Sequence, residues 1–400
     1  MEYVTLSKLS YGDQAVYEQA YHDRFHSPYA QHVDIKIADW PAFFLVTPEI
    51  CEHMLTIQKV DKSIWLLCGK LPGIATKHFS RRCLIDEIIL TNGIEGVHST
   101  RREIDGVLAE LERNHKQKRF AGLVQKYDML LQGAEFPLST CEDIREIYDD
   151  LVLREVSGSD PKNIPDGVIF RKEIVDVTDS SQKVVHQGLY PEEKIIDAME
   201  KALKYLGDPS AELLYRVSVF HYLLGYIHPF YDGNGRLNRF ISSYMLGKEL
   251  HPLLGYRLSY TIKENITEYY KAYKTCNLPR NRGDLTPFVL MFLAVIEKST
   301  RQLFSALTSR LDALNHYKEI IGRLPHGQER DCSNLYYVLI QVELFSEHGI
   351  TMKELAKGRN LSPTTLRGQL KKVEDAGLLK VTLSGHAKCY GIDLDQLDKY

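Results

Sequence analysis

The spacing of apolar positions changes period several times along the chain, and each change marks an element. From about Lys77 the pattern is helical, with Leu84, Ile85, Ile88 and Ile89 on one face, until Thr91-Asn92-Gly93-Ile94-Glu95-Gly96 interrupts it. Thr100 and Glu103 then have the spacing of a capping box, and Ile104, Val107, Leu108 and Leu111 form the stripe of the helix that follows. Between Gly167 and Pro191, Val168, Ile169, Phe170, Ile174, Val175, Val177, Val184 and Val185 flank the polar turn Thr178-Asp179-Ser180-Ser181, which predicts a β-hairpin. Helical spacing returns from Glu192, with Ile195, Met199, Leu203 and Leu206 on one face and Gly207-Asp208-Pro209 as its stop. The next helix is expected over about 210–226, ending at His228-Pro229 because proline pushes its predecessor out of the right-handed helical region. A further helix should start at Asn234 or Gly235 and run to about Leu250, followed by helical segments over 264–273 and 286–311.

The ends of the chain read differently. Residues 1–75 mix short apolar runs with Pro41, Pro48 and Pro72 and predict no regular element. The polar stretch 323–330 reads as a linker. After it come three helical patterns, at about 334–347, 351–357 and 363–376, and two strand-like runs, Leu378–Leu383 and Lys388–Ile392, joined by Ser384-Gly385. Three helices and a hairpin describe a winged helix. The expected class is therefore mainly α, with an N-terminal region at 1–75, a helical core at 76–322 and a winged-helix domain at 331–400.

With 400 residues, 44% of them hydrophobic, the chain can bury several packed units. Lys and Arg (50) nearly balance Asp and Glu (53), so no global field draws the molecule to nucleic acid or an anionic membrane. The longest apolar run, Phe288–Ile296, is less than half of the ~20 residues that span a bilayer, and reads as a buried helix. Seven scattered cysteines form no close pair, and the first residues lack the basic and apolar regions of a signal peptide. Together these features predict a cytoplasmic location and no membrane.

The densest chemistry lies in His228-Pro229-Phe230-Tyr231-Asp232-Gly233-Asn234-Gly235-Arg236-Leu237-Asn238-Arg239, where a loop feeds a helix. Gly233 and Gly235 let backbone approach an anion, and the first N–H groups of the following helix point outward unpaired. Arg236 and Arg239 can grip phosphate oxygens in pairs. Asp232 can hold Mg²⁺ together with phosphates and water. His228, ordinarily near pKa 6.5 as an imidazole, can accept a proton near neutrality. Each residue alone has a bland structural reading; the combination points to a nucleoside triphosphate.

These twelve residues resemble the pattern H-P-F-x-D-G-N-G-R-x-x-R of the Fic-domain AMP-transferases at every fixed position. The hairpin at 167–191 looks like that family's target-docking flap, and Tyr269-Tyr270, Asn277, Gly283-Asp284 and Phe288 resemble the segment that follows its motif. The resemblance covers roughly residues 75–300. It implies transfer of AMP from ATP to a Ser, Thr or Tyr hydroxyl of a protein, the chain itself included. His228 would be the base and Asp232 the Mg²⁺ ligand. Gly233, Asn234, Gly235, Arg236 and Arg239 would bind the phosphates, and Tyr270 and Asn277 would flank adenine and ribose. Thr91-Asn92-Gly93-Ile94-Glu95-Gly96 resembles the family's inhibitory motif, with Thr91, Glu95 and Gly96 at its fixed positions. The resemblance implies that Glu95 pairs with Arg239 where the γ-phosphate would sit. Gly93 departs from the expected helix and weakens that turn by up to about 1 kcal/mol. Two alternatives remain open: an enzyme in which Glu95 also helps to remove AMP, and a DNA-binding regulator whose Fic core only senses nucleotide.

The hairpin itself is compatible with strand addition by an extended target or with ordinary packing. In the C-terminal module, Ser362 and Pro363 start a helix whose polar face carries Thr364, Thr365, Arg367, Gln369, Lys371 and Lys372. That face suits either DNA phosphates or protein contacts, homodimerisation among them.

Overall fold

The computed structural model describes residues 3–111, 119–178, 184–384 and 387–400. The turn residues Asp179, Ser180, Ser181 and Gly385, on which two expected hairpins close, lie outside the described residues. The described residues are mainly helical, with three small antiparallel sheets among them: Ala30–Ile37 with Trp40–Leu45, Asp176–Thr178 with Val184–Gln187, and a three-stranded sheet in the C-terminal part.

The centre is built by helices Leu213–Ile227 and Asn234–Glu249, buried along nearly all their faces, and by Thr286–Ile320. The expected stop at His228-Pro229 is present. His228 caps the first of these helices in the left-handed region (φ 52°, ψ 64°), a conformation costing an ordinary residue roughly 1–2 kcal/mol. Phe288, Val289, Phe292, Leu293, Val295 and Ile296, the run read as a buried helix, are all buried in Thr286–Ile320.

Residues 1–75, which predicted nothing regular, form helices Leu6–Leu9, Gln14–Phe25 and Pro48–Cys68 and a hairpin turning at Ala38 and Asp39, both with positive φ. Their partners lie some 240 residues away. Phe43 N–H donates to Gly283 O (3.0 Å), Leu285 N–H to Phe43 O (2.7 Å), and Tyr3 OH to buried Asp284 (2.5 Å). Arg282 pairs with Glu18 at 2.6 Å and stacks over Tyr17 and Trp40. Long-range pairing of this kind leaves no local period to read.

The hairpin expected over 167–191 is shorter than its apolar run. Among the described residues only Asp176–Thr178 and Val184–Gln187 pair, with a bulge at Val177/Thr178. The N–H groups of Val168, Ile169 and Phe170 instead converge on the carboxylate of Glu192 at 2.8–2.9 Å, so those residues form an anchored loop.

Helix Gly73–Ile94 runs through Gly93 and ends in a Schellman turn: Val97 N–H reaches Asn92 O (2.9 Å), and Gly96 takes φ 73°. This cap leaves Glu95 as the C-terminal residue, with its side chain directed at the centre of the molecule. The capping box at Thr100 and Glu103 starts helix Arg101–Leu111.

Beyond 320 the chain makes a compact turn, with Gly327 so close to Ile321 O that a Cβ would lie 1.8 Å from it. Helices Arg330–Phe345, Met352–Arg359 and Pro363–Asp375 follow, with strands Leu379–Ser384 and Ala387–Ile392 and a short third strand, Ile350–Thr351, paired outside the latter. This part is not insulated from the rest. Phe345 meets Phe79 edge to face (6.2 Å), Arg310 caps Phe79 and donates to Leu344 O, and Arg101 bridges Asp86 to Glu347. The buried core is continuous across the join. Phe345→Ala should therefore lower the stability of the whole chain by about 3–5 kcal/mol, shifting a single urea transition rather than splitting off an early C-terminal one.

Candidate functional site

The motif 228–239 lies on a bed formed by helix Cys141–Tyr148 and its continuation. Phe230 is fully buried and stacks on Tyr148 (3.6 Å, 7°), whose hydroxyl donates to Asp232 O at 3.1 Å. Gly233 takes φ 80°, and a Cβ there would come within 2.9 Å of Val152, so both turn and packing require glycine. From above, Arg171, itself fully buried, donates from Nε to His228 O and from Nη2 to Leu189 O, both at 2.9 Å. The loop is clamped from two sides before any ligand arrives.

The structure brings the expected residues to one cleft of about 250 Å³. Glu95, Asp176, His186, His228, Asp232, Gly233, Asn234, Gly235, Arg239, Tyr270 and Asn277 are among its lining residues. Helix Asn234–Glu249 starts at Gly233 with no side-chain cap, which leaves its first N–H groups directed at the cleft as an anion site. Asn234 does not point there: its amide closes the loop on itself, accepting from Phe230 N–H (3.0 Å) and donating to Phe230 O (2.8 Å). Asn277 accepts from Tyr222 OH at 2.6 Å. Arg236 is buried beside the cleft, 3.0 Å from Glu155 and 3.8 Å from Asp232.

Arg239 is 2% exposed, and its guanidinium is engaged by the end of helix Gly73–Ile94. Nε donates to Thr91 Oγ1 (2.7 Å), and Nη2 to Thr91 O (3.0 Å) and Glu95 Oε1 (2.7 Å). Burial alone would raise the pKa of Glu95, but Arg239, with Arg236 and His228, outweighs it and holds the carboxyl below its usual range. A Cβ on Gly235 would sit 2.1 Å from Glu95 Oε1, so the carboxylate lies directly against the first turn of the motif helix. A negative group thus already occupies the place that the helix terminus and Arg239 make for an anion.

Burial, reinforced by the charge of Arg171, depresses the pKa of His228 to about 4, with Glu95 opposing the shift. The ring is therefore neutral at pH 7 and able to accept a proton. Sequence reading did not single out Arg171, Glu192, Glu155, Tyr148 or Glu87. Each acts through a partner 22 to 172 positions away, and no local period marks such a residue. Glu87 is fully buried under Arg239, held by Ser259, and pushed up to about 7 by desolvation.

Residues 137–246 match the model of the Fic/DOC family. The chain carries a Fic domain. A protein adenylyltransferase Fic of Drosophila melanogaster is 32% identical over 116 residues, 28% of this chain and 22% of the relative. One of Drosophila grimshawi is 36% identical over 91 residues, 23% and 17% of the two chains. The match thus spans about a fifth of the length of these curated relatives. In overall fold the chain resembles a Fic family protein from Desulfovibrio desulfuricans G20, with a TM-score of 0.51 at 19% identity over 88% of this chain and 97% of that one. That likeness extends well outside the motif, so the fold around the Fic domain is shared too. Among the described residues, no helix is long and apolar enough to cross a membrane.

The depressed basicity of His228 gives a direct expectation. In a pH titration followed by NMR, with the His228→Ala spectrum as the assignment control, its ring should remain neutral from pH 7 to pH 5 and protonate only toward about 4. The unfolded chain takes up this proton nearer 6.5, so the associated stability declines as pH falls through that interval. A midpoint at 6.5 in the folded protein would remove burial as the tuning force.

Proposed function

We propose that the Fic domain transfers AMP from ATP to a hydroxyl side chain of a protein, and that Glu95 restrains the reaction. The reading is carried by one observation: a neutral imidazole, an uncapped helix N-terminus and a buried arginine line the same cleft. The relatives' name, protein adenylyltransferase, agrees with it.

In this reading the triphosphate lies across the start of helix Asn234–Glu249. The backbone of Gly233 and Gly235 meets the α-phosphate, Arg236 the β-phosphate and Arg239 the γ-phosphate, with Tyr270 and Asn277 beside adenine and ribose. His228 takes the proton of the target hydroxyl as its oxygen attacks the α-phosphorus; the bond to the bridging oxygen breaks and pyrophosphate leaves. The donors are fixed in place beforehand by Tyr148, Arg171 and Asn234, so little reorganisation accompanies charge development on the leaving group.

Asp232 suits a magnesium ion. Its side chain is 41% exposed, and no cluster of three or more His, Cys, Asp or Glu among the described residues forms an all-protein metal cage. One carboxylate completed by phosphate oxygens is the usual magnesium arrangement. Bound there, the ion would neutralise phosphate charge. Strands Asp176–Thr178 and Val184–Gln187 border the cleft through Asp176, Val177 and His186, with Val175 just before them, and we assign them to docking of the target's backbone.

On helix Pro363–Asp375, Lys371 is paired with Glu374 and Asp375 and Lys372 with Glu329, while Arg367 is exposed on the same helix.

With labelled ATP, Mg²⁺ and a cell lysate, His228→Ala should abolish incorporation while ATP binding by calorimetry stays within about threefold, because other groups hold the phosphates. Near wild-type incorporation would remove His228 from the mechanism. Glu95→Gly should raise incorporation by about 10-fold or more, since Arg239 exchanges a carboxylate for the γ-phosphate and the α-phosphorus becomes aligned. Arg239→Ala in the same chain should reverse the gain. Unchanged incorporation on removing Glu95 would overturn the restraint.

A further inference from the structure

The bed under the motif loop ends in a residue to which the Fic motif gives no role. Helix Cys141–Tyr148 passes through a π-helical turn, Asp149–Leu153, into Arg154–Ser159. Three residues on one face follow the loop in step: Tyr148 stacks on Phe230, Val152 packs on Gly233, and Glu155 faces Arg236. The last contact is an ion pair, Glu155 Oε1 to Arg236 Nη1 at 3.0 Å, with the two side chains 10% and 1% exposed. On the other side Asp232 Oδ1 lies 3.8 Å from Arg236 Nη2, beyond hydrogen-bond range, and is 41% exposed.

We propose that Glu155 is a positioning residue: it holds the Arg236 guanidinium away from Asp232 and so leaves the Asp232 carboxylate available to a divalent cation arriving with the nucleotide. The inference rests on the nucleotidyl-transfer reading given above. A guanidinium this deeply buried must have an anionic partner, because an unpaired buried charge is strongly unfavourable. Two carboxylates are within reach, and they are not equivalent. Glu155 is secluded on the bed and faces no part of the cleft, whereas Asp232 lines it. Pairing with Glu155 satisfies the arginine out of the way of the ligand. It does not exhaust the guanidinium either, since Arg236 Nε and Nη1 are both buried without a hydrogen bond among the described residues, the approach of Nη1 to Glu155 being a charge contact. With Glu155 neutralised, the closest remaining anion is Asp232, and a guanidinium turned toward it would compete with the cation for the same oxygens.

The test uses the full-length Glu95→Gly chain, saturated with a non-hydrolysable ATP analogue and titrated with Mn²⁺, with free ion followed by electron paramagnetic resonance. Glu155→Gln should weaken Mn²⁺ binding by about 10-fold, the usual effect of removing a partner that orients a metal site. Glu155→Asp, which keeps the charge, should lose clearly less. Equal affinity in the Gln variant, or equal losses in Gln and Asp variants, overturns the proposal, the latter by showing that packing rather than charge is at work. Should the Gln variant not fold, the parent chain decides by its structure with analogue and Mn²⁺. Arg236 against Glu155, with Asp232 on the metal, supports the inference; Arg236 bonded to Asp232 defeats it. A parent chain that takes up neither analogue nor Mn²⁺ sinks the nucleotide reading and this inference together, whereas normal uptake without sensitivity to Glu155 sinks this inference alone.

Discussion

A buried guanidinium needs a counter-charge, and much of this molecule is arranged around meeting that requirement at Arg239. The side chain is 2% exposed and donates its hydrogen bonds to a single helix terminus, Thr91 to Glu95. That terminus belongs to Gly73–Ile94, a helix that also holds the buried carboxylate of Glu87 and faces the C-terminal part through Phe79 and Asp86. One charge pair therefore joins the anion site, the helix beside it and the last seventy residues. On the proposed reading, displacing Glu95 exchanges one anion for another at Arg239, so the site need never expose an uncompensated charge.

The motif loop, residues 228–239, is fixed by a different set of forces. Below it, aromatic stacking and close packing against Tyr148 and Val152 locate the loop to within a fraction of a side chain. Above it, Arg171 ties His228 to Leu189, just after the second of the paired strands. Asn234 locks the loop internally. His228 can hold a left-handed conformation because these contacts over-determine it, and the same enclosure that strains its backbone keeps its ring neutral.

Much of the central architecture was legible in the sequence. Helices Glu192–Leu206, Leu213–Ile227 and Asn234–Glu249 fall where apolar spacing and the His228-Pro229 stop put them. The capping box at Thr100 and the three C-terminal helices were likewise encoded in a few adjacent residues. At Glu95 two readings of the same six residues coexist: the helix runs through Gly93 and Gly96 punctuates its end, and the Schellman turn there is what directs Glu95 at Arg239. The N-terminal region was illegible because its strands and aromatic residues are matched to the loop around Gly283, and the apolar run at Val168–Phe170 misled because its N–H groups are taken by Glu192.

The sequence by itself determined the things that depend on neighbours within a turn or two: helix periods, stops and caps, and the twelve-residue stretch that gathers glycines, a carboxylate and two arginines at a helix start. Only the tertiary structure decided which partner each charged group takes. It set Glu155 against Arg236 and Arg171 against the carbonyl of His228. The physical reason is range. Backbone propensity and amphipathic spacing act over a few residues, whereas the pairing of a buried charge is settled by whichever opposite group the packed core carries to it, from any distance along the chain.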